Sequence, residues 1–358
     1  MSTVVQFNVP SQHQSQGARH SALLHSFAAH RRFGDDVFWL KENAELLNIL
    51  ECTGVALEDN ALGAHESFYD NIEKRMGFFP QYYRFLLSIC LDLEDLGMDG
   101  GKGEKLVNWV ADQGMAQSEM SDLQRFEARR LMLRRGRDPL PDDLGLEDRM
   151  RGFCERSVAF AMPNKKAAYE LTHTVFYLSE YGRKDPLLGA DAKQSLENAG
   201  TLAFLDQNAD LLAEVCVAMR YAGFPPAKIW ENWVQRETHR FEVEIGDASA
   251  GHDDYHEYFV SNWLMALAGN DVFAKRFAPE AMRFYAPQGR IAPLREMSEC
   301  MFRLDDQRSD DWARMRGHVV EAMSPEAMDV LNDAEAASNN FDAFFSGFAR
   351  VGMAAGAV

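Results

Sequence analysis

The stretch that decides the fold is AAYELTHTVFYLSEYG, residues 167–182. Apolar and aromatic residues would lie on most sides of a helix formed by this stretch, which is the pattern of a buried helix. Pro163 and Asn164 precede the stretch and Gly182 ends it, as is typical of helix boundaries. The sequence therefore predicts a buried α-helix here.

Residues typical of helix boundaries recur along the chain. Asp36 precedes an apolar stripe, Asp206 is expected to start a helix that ends at Gly223, and Ser324 with Pro325 is expected to start the last long helix. Sustained period-two alternation, the signal of half-buried strands, is nearly absent. We therefore predict an all-α, multi-helical protein with about 12 to 14 helices.

Domain organisation is less strongly indicated. The 358 residues, 46% of them hydrophobic, suffice for one large core or two ordinary ones. A polar break, RGRDPLPDDL at 135–144, either separates a helical half at 17–138 from a second at 139–348 or forms a surface loop within one domain. Residues 1–16 are expected to be a polar tail, and residues 349–358 a flexible one.

Composition indicates the compartment and excludes some partners. Five scattered cysteines, an odd number without any CxxC pair, are typical of reduced thiols in the cytoplasm. The chain has neither the apolar run that a membrane span needs nor a secretory leader at its start. Because the net charge is −18, nucleic-acid binding is disfavoured. We expect a cytoplasmic protein without nucleic-acid or membrane partners, and its oligomeric state stays open.

Two histidines are the main candidates for chemistry. His173 follows Glu170 by three residues and shares a helical face with Tyr177, while His256 follows Asp253 by three residues in a second apolar helix. Glu-x-x-His spacing places two metal ligands on one face of a helix. Chance alone produces such pairs in so acidic a chain. The two histidines stand out instead by their expected burial, because the nitrogens of a buried imidazole need partners.

These histidines allow two interpretations. In the first, His173 and His256 face each other in a helix-lined pocket, as general acid and base with Tyr177 and Glu214, or as ligands of a divalent metal with Glu170 and Asp253. In the second, they are core residues that hydrogen-bond to a tyrosine or a backbone carbonyl. Asp210 and Glu214, four residues apart in an otherwise apolar segment, are additional carboxylates near such a pocket.

A basic segment stands out in this acidic chain. RFEARRLMLRRGRD, residues 125–138, carries six arginines against two acids. Arg129, Arg130 and Arg134 are therefore candidates for binding an anionic cofactor or an acidic partner, because arginine binds carboxylate and phosphate in a bidentate manner. Alternatively, these arginines pair with the protein's own acids at 92–95 and 142–148.

The chain resembles known sequences over about half its length. A group of uncharacterised all-helical bacterial proteins, some encoded beside biosynthetic genes, is similar to ELTHTVFYLSEYG (170–182), DLLAEVCVAMRYAG (210–223) and DDYHEYFVSNWLMALAG (253–269). A related uncharacterised family of marine α-proteobacteria is similar to DDVFWLKENAELLNILECTG (35–54) and FFPQYYRFLLSICLDLEDLG (78–97). The resemblance implies a multi-helical architecture such as the α/α toroid of terpene cyclases and prenyltransferases, whose inner helices line a cavity.

Familiar catalytic motifs are missing from the sequence. The DDxxD and DxDD motifs of terpene cyclases do not occur, nor do a P-loop, GxSxG or HExxH. Two functions are therefore expected from the residues: an enzyme or binding protein for a small molecule, or a non-catalytic helical protein that binds another protein.

Overall fold

The computed structural model describes residues 14–32, 36–246 and 253–351 of the chain. Helices in the described residues are α1 (Gln16–Ala29), α2 (Val37–Cys52), α3 (Glu66–Phe78), α4 (Tyr83–Asp95), α5 (Lys102–Asp112), α6 (Asp122–Leu133), α7 (Leu146–Cys154), α8 (Lys165–Leu178), α9 (Ala190–Leu205), α10 (Ala209–Tyr221), α11 (Lys228–Arg240), α12 (Tyr255–Leu267), α13 (Pro293–Leu304), α14 (Trp312–Glu321), α15 (Pro325–Ala337) and α16 (Phe341–Ala349). Two strands, β1 (Glu242–Ile245) and β2 (Met282–Tyr285), form a small antiparallel sheet. The all-α prediction is confirmed, although the described residues contain sixteen helices and the sequence predicted about 12 to 14.

The even-numbered helices from α2 to α12 enclose the centre of the described structure. In the order α2, α4, α6, α8, α10 and α12, each contacts the next, and α12 contacts α2 again. The odd-numbered helices from α1 to α11 each pack against an inner helix that neighbours them in the chain. This alternation of inner and outer helices is that of an α/α toroid, the architecture that the sequence resemblance implies.

The burial patterns of the helices match their positions in the two layers. The outer helix α5 buries Gly103, Leu106, Val107 and Val110, a single stripe with helical spacing. The inner helix α10 buries Ala209 and every residue at 211–219, so it is covered on all sides. A stripe needs one neighbouring layer, whereas a helix that is apolar all round needs neighbours on every side.

The remaining helices cover part of the outer layer. α13 and α15 pack on α9, and α16 packs on the 3-10 segment Ser157–Ala161, which itself contacts α9. α9 is therefore largely buried although it belongs to the outer layer. None of the helices in the described parts of the chain has the length and apolar character required to cross a bilayer.

Several helix boundaries follow the sequence signals, whereas α8 ends at Leu178, before the predicted end at Gly182. The side chains of Asp36 and Ser324 accept hydrogen bonds from backbone amides at the starts of α2 and α15, as predicted. The expected start at Asp206 is wrong, because the amide of Asp206 bonds to the carbonyl of Leu202 and continues α9. The residue that caps α10 is Asn208.

The ring draws on both predicted halves of the chain. The break at 135–144 lies between α6 and α7, and three inner helices come from each side of it. Of the predicted tails, positions 1–13 and 352–358 lie outside the described residues, and α1 begins at Gln16.

Candidate functional site

A cavity of about 560 Å³ lies inside the helical ring. All the inner helices contribute side chains to its wall, and Tyr181 joins them from the turn after α8. The lining residues are Lys41, Ala44, Glu45, Asn48, Ile49, Phe85, Ser88, Glu127, Tyr169, His173, Phe176, Tyr177, Tyr181, Asp210, Glu214, His256, Phe259, Val260 and Trp263. The structure thus brings His173, His256, Tyr177 and Glu214, the four predicted catalytic residues, to one cavity.

An Asp210–His256 pair lies at the polar part of this cavity. The Nδ1 atom of His256 lies 2.6 Å from Oδ1 of Asp210. The hydroxyl of Tyr169 donates to the other carboxylate oxygen of Asp210, also at 2.6 Å. Because both oxygens of Asp210 are bound, the carboxylate holds the imidazole in one orientation. The Nε2 atom of His256 points away from Asp210.

Glu214 lies between the two candidate histidines. Its Oε1 is 3.8 Å from Nε2 of His256, and its Oε2 is 3.8 Å from Nε2 of His173. Thr172 donates a hydrogen bond of 2.6 Å to Oε2. The Glu214 side chain is only 2% exposed, so a buried carboxyl group bridges the space between the imidazoles.

Glu45 approaches the same histidine from α2. Its Oε1 lies 3.8 Å from Nε2 of His256 and 3.7 Å from Nζ of Lys41. Its Oε2 accepts a hydrogen bond of 2.9 Å from the hydroxyl of Tyr255. Nε2 of His256 therefore has a carboxylate oxygen of Glu45 and one of Glu214 at equal distances.

His173 differs from His256 in having hydrogen-bonding capacity to spare. Neither of its ring nitrogens forms a hydrogen bond with the described residues, and its ring packs beside Phe176 and Tyr177 at centroid distances of 5.8 and 6.0 Å. The side chain is 42% exposed, and this surface faces the cavity. The interpretation of His173 as a core residue bonded to a tyrosine or a carbonyl does not fit this environment.

The ionisable groups shift one another's pKa values. Burial acts to lower the pKa of His256, but the hydrogen bond to Asp210 and the charges of Glu45, Asp210 and Glu214 outweigh burial and raise it to about 10. Burial raises the pKa of Glu214 to about 8. The negative charge of Asp210 also raises this pKa, whereas the positive charge of His256 lowers it.

The pKa values of Asp210 and His173 are lowered. Burial opposes ionisation of Asp210, but hydrogen bonds from His256 and Tyr169 hold its pKa below the usual value. Burial lowers the pKa of His173, and the positive charge of His256 adds to that effect. Near pH 7, an imidazolium–carboxylate pair therefore stands beside a neutral imidazole and a largely neutral carboxyl group, and these groups can transfer protons.

Aromatic side chains form another part of the cavity wall. The ring of Trp263 lies 4.8 Å from that of Phe176 and 5.8 Å from that of Tyr181, with the Tyr181 ring stacked. Glu180 and Tyr181 adopt left-handed backbone conformations, with φ of 47° and 53°, which costs about 1 kcal/mol or more for each non-glycine residue. This turn directs Tyr181 back towards the cavity.

The predicted anion-binding arginines are paired within the protein. Arg129 binds Asp138 at 2.7 Å, and Arg134 binds Asp92 at 2.8 Å. Arg130 binds Glu180 at 3.1 Å, and its guanidinium lies 4.6 Å from the Tyr181 ring. The expectation of a free arginine clamp is therefore corrected, and pairing with the protein's own acids describes these three residues.

Glu170 and Asp253, two of the predicted metal ligands, lie apart from the cavity. Glu170 faces Lys166, with 3.9 Å between the charged atoms, and lines a separate pocket. The inward face of α8 carries Tyr169, His173 and Tyr177, four residues apart, and Glu170 falls just outside it.

Asp253 precedes the first residue of α12, so helical spacing does not relate it to His256. Its carboxylate binds Arg31 at 2.8 Å and the amide of Phe284 at 3.0 Å. These contacts tie the start of α12 to the segment after α1 and to β2. They correct the predicted ligand set of Glu170, His173, Asp253 and His256.

Sequence reasoning missed Glu45 and Glu127 and left Asp210 as a weak candidate. One ligand atom from each of Asp210, Glu214 and His256 lies within 4.8 Å of the other two, a grouping that could hold a metal ion. The available signal was an acidic residue within an apolar helical segment, as at Glu45 in α2. That signal does not say which helices meet.

Comparison with known proteins identifies the family of the chain. The sequence profile of a Domain of unknown function (DUF6902) matches residues 1–351, so the chain belongs to that family. Neither the curated proteins nor the solved structures gave a match to the chain.

Proposed function

We propose that this member of the DUF6902 family is an enzyme that acts on a small organic molecule bound in the central cavity. The observation that carries the proposal is the convergence of Asp210, Glu214, His173 and His256 at one part of a wall that is elsewhere largely apolar and aromatic. The volume of about 560 Å³ lies within the usual range of small-molecule sites. Such a combination would orient a ligand by its apolar part and expose its polar part to chemistry.

His173 is the residue that we expect to contact the bound molecule. It has no hydrogen-bond partner among the described residues, it faces the cavity, and it lies 3.8 Å from Glu214. An imidazole in this position would exchange a proton with the ligand. Tyr177 and Trp263 would pack against the ligand's apolar part.

The alternative function, a helical interaction protein that uses the arginines of α6, has less support. Arg129, Arg130 and Arg134 already bind acids of the same chain, so a partner would have to displace those acids. The five cysteines are unpaired, which supports a reducing compartment such as the cytoplasm. The net charge of −18 argues against nucleic acid as a ligand.

A cavity-filling variant tests the proposal. Val260 lines the cavity, and Val260→Phe would place an extra ring in it. Gly152→Leu is the matched control, because it adds an apolar side chain at a separate pocket where a Cβ atom meets nothing within 4 Å. We expect metabolites that raise the melting temperature of the wild type in a thermal-shift screen to act equally on Gly152→Leu and to have no effect on Val260→Phe. Metabolites that stabilise Val260→Phe as strongly as the wild type would count against a site in the cavity.

A further inference from the structure

We propose that the central cavity is selective for an uncharged, largely apolar molecule whose polar groups hydrogen-bond to Asn48 and His173. The inference rests on the proposed function, because it names the class of molecule bound at the same site. The charged side chains of the cavity wall have partners within the protein, whereas these two neutral side chains have no hydrogen-bond partner among the described residues.

Asn48 is a buried polar side chain with unused hydrogen-bonding capacity. It lines the cavity from α2 and is only 9% exposed, yet its amide group forms no hydrogen bond with the described residues. Asn43 in the same helix shows the usual situation, because its amide donates to two backbone carbonyls and its oxygen lies 2.9 Å from Nε2 of His65. Buried amides nearly always have such partners. The free donor and acceptor of Asn48 therefore indicate a polar group of a bound molecule.

His173 presents a second neutral group from the opposite wall. The helices α2 and α8 are opposite each other in the ring, with two inner helices between them on each side. Burial lowers the pKa of His173, so its imidazole is uncharged near pH 7 and offers one donor and one acceptor. The side-chain amide of Asn48 also offers both. A bound molecule with hydroxyl, carbonyl or amide groups would satisfy both side chains.

The charged side chains of the cavity wall are already paired within the protein. The pairs are Lys41 with Glu45, His256 with Asp210, and Glu127 with Arg84. Burial raises the pKa of Glu214 to about 8, so this carboxyl group is largely uncharged near pH 7. No charge of the described wall is therefore left to compensate a charged ligand. Because an uncompensated charge in a buried site is costly, the wall favours a neutral molecule.

Arg130 acts against a cationic ligand on the aromatic side of the cavity. Aromatic rings attract cations to their faces, and Tyr177 and Tyr181 belong to the cavity wall. The guanidinium of Arg130, which is not among the lining residues, lies 5.6 Å and 4.6 Å from the centroids of these two rings. The rings therefore already bind one cation and offer less attraction to an ammonium group in the cavity.

Two matched pairs of probes that differ in charge test this selectivity. Cinnamamide is the neutral counterpart of cinnamate, and cinnamyl alcohol is the neutral counterpart of the cationic cinnamylamine. Dissociation constants for the full-length protein are measured at pH 7 by ligand-detected NMR titration. We expect each neutral probe to bind at least about 10-fold more tightly than its charged counterpart. Neutral probes that bind no more tightly than their charged counterparts would overturn the inference.

Variants of Asn48 test its part in binding. Asn48→Leu removes the amide at similar size and should weaken cinnamamide binding about 5- to 100-fold, because the amide of the probe would lose its partner. Asn232→Leu is the matched control, because Asn232 is exposed on α11 and does not line the cavity, and its affinity should match the wild type. Equal affinities of the two variants for cinnamamide would contradict a contact with Asn48.

Two further readouts separate binding from a structural role of Asn48. Asn48→Leu breaks no hydrogen bond, so its melting temperature should not fall below that of the wild type; a lower value would mean that the amide is structural and would overturn the inference. Asn48→Asp has the same shape but adds a carboxylate, and it should shift the affinity ratio of cinnamylamine to cinnamyl alcohol at least about 10-fold in favour of the amine. An unchanged ratio in the folded variant would also count against the assignment.

The selectivity and the proposed function can fail separately. Charged metabolites or probes that bind the wild type and Gly152→Leu more tightly than their neutral counterparts do, but do not bind Val260→Phe, would overturn the neutral class and keep the small-molecule site. Cinnamamide that binds Val260→Phe as tightly as the wild type would place its binding outside the cavity and overturn the function together with the inference.

Discussion

Replacing Glu214 by glutamine should stabilise the metal-free protein in a pH-dependent way. Burial and the charge of Asp210 raise the pKa of Glu214 from 4.5 to about 8. Between these values the unfolded chain carries an ionised Glu214, whereas the folded protein must take up a proton at that side chain. The folded state therefore loses stability as the pH rises from 4.5 towards 8, and below 4.5 the penalty is absent.

The size of this stability penalty follows from the difference between the pH of the experiment and the ordinary pKa of 4.5. Each pH unit in this window corresponds to about 1.4 kcal/mol, so the penalty at pH 7 is about 3 kcal/mol. Glutamine matches the neutral carboxyl group in shape and can keep the hydrogen bond from Thr172, since it also presents a carbonyl oxygen. Glu214→Gln should then raise the free energy of unfolding by about 3 kcal/mol at pH 7 and by almost nothing near pH 4.5.

Urea denaturation in the presence of EDTA at pH 4.5, 6 and 7 measures this difference. Glu321→Gln serves as a control, because Glu321 is exposed at the end of α14 and its replacement should change stability by less than about 0.5 kcal/mol at every pH. A difference in the free energy of unfolding between wild type and Glu214→Gln that stays constant across the pH series would refute this prediction. So would a destabilised variant at pH 7.

Four other substitutions test the packing and the polar centre by the same denaturation assay at pH 7. Asp210→Asn should cost about 3 kcal/mol or more, because the buried imidazolium beside it loses its anionic partner; an unchanged midpoint would contradict the ion pair. Gly200→Ala should cost about 1 to 3 kcal/mol, since the new Cβ atom would lie 2.6 Å from an indole ring, whereas Gly152→Ala in open space on α7 should stabilise by about 0.5 to 1 kcal/mol. His173→Gln should leave stability within about 0.5 kcal/mol of the wild type, because it removes no hydrogen bond, while abolishing the effect of metabolites that bind the cavity; a larger loss would indicate a structural histidine.

Much of the fold could be predicted from local sequence signals. Capping by Asp36 and Ser324 and the all-round burial of α8 and α10 depend on residues a few positions apart, which is the range over which helix propensity and amphipathic patterns act. The start of α10 was misplaced by two residues because Asp206 and Asn208 are both good capping residues. Only the hydrogen bond of the Asp206 amide to α9 distinguishes them.

The candidate site was predictable in part. Burial of polar residues in apolar helices selected His173, Tyr177, Glu214 and His256, and all four line one cavity. Spacing within a helix failed for Glu170, because a displacement of three residues moves a side chain about 60° around the helix, enough here to leave the inward face. It failed for Asp253 because that residue lies before α12.

The sequence by itself determined which segments are helices and which of them are buried, because both depend on residues within a few turns of one another. Only the tertiary structure decided that Glu45 from α2 and Glu214 from α10 meet at His256 from α12. Closure of the ring brings these side chains together across more than 200 positions of chain. Their pKa values, and the space for a ligand between them, follow from that closure, since distance and burial control the interaction of charges.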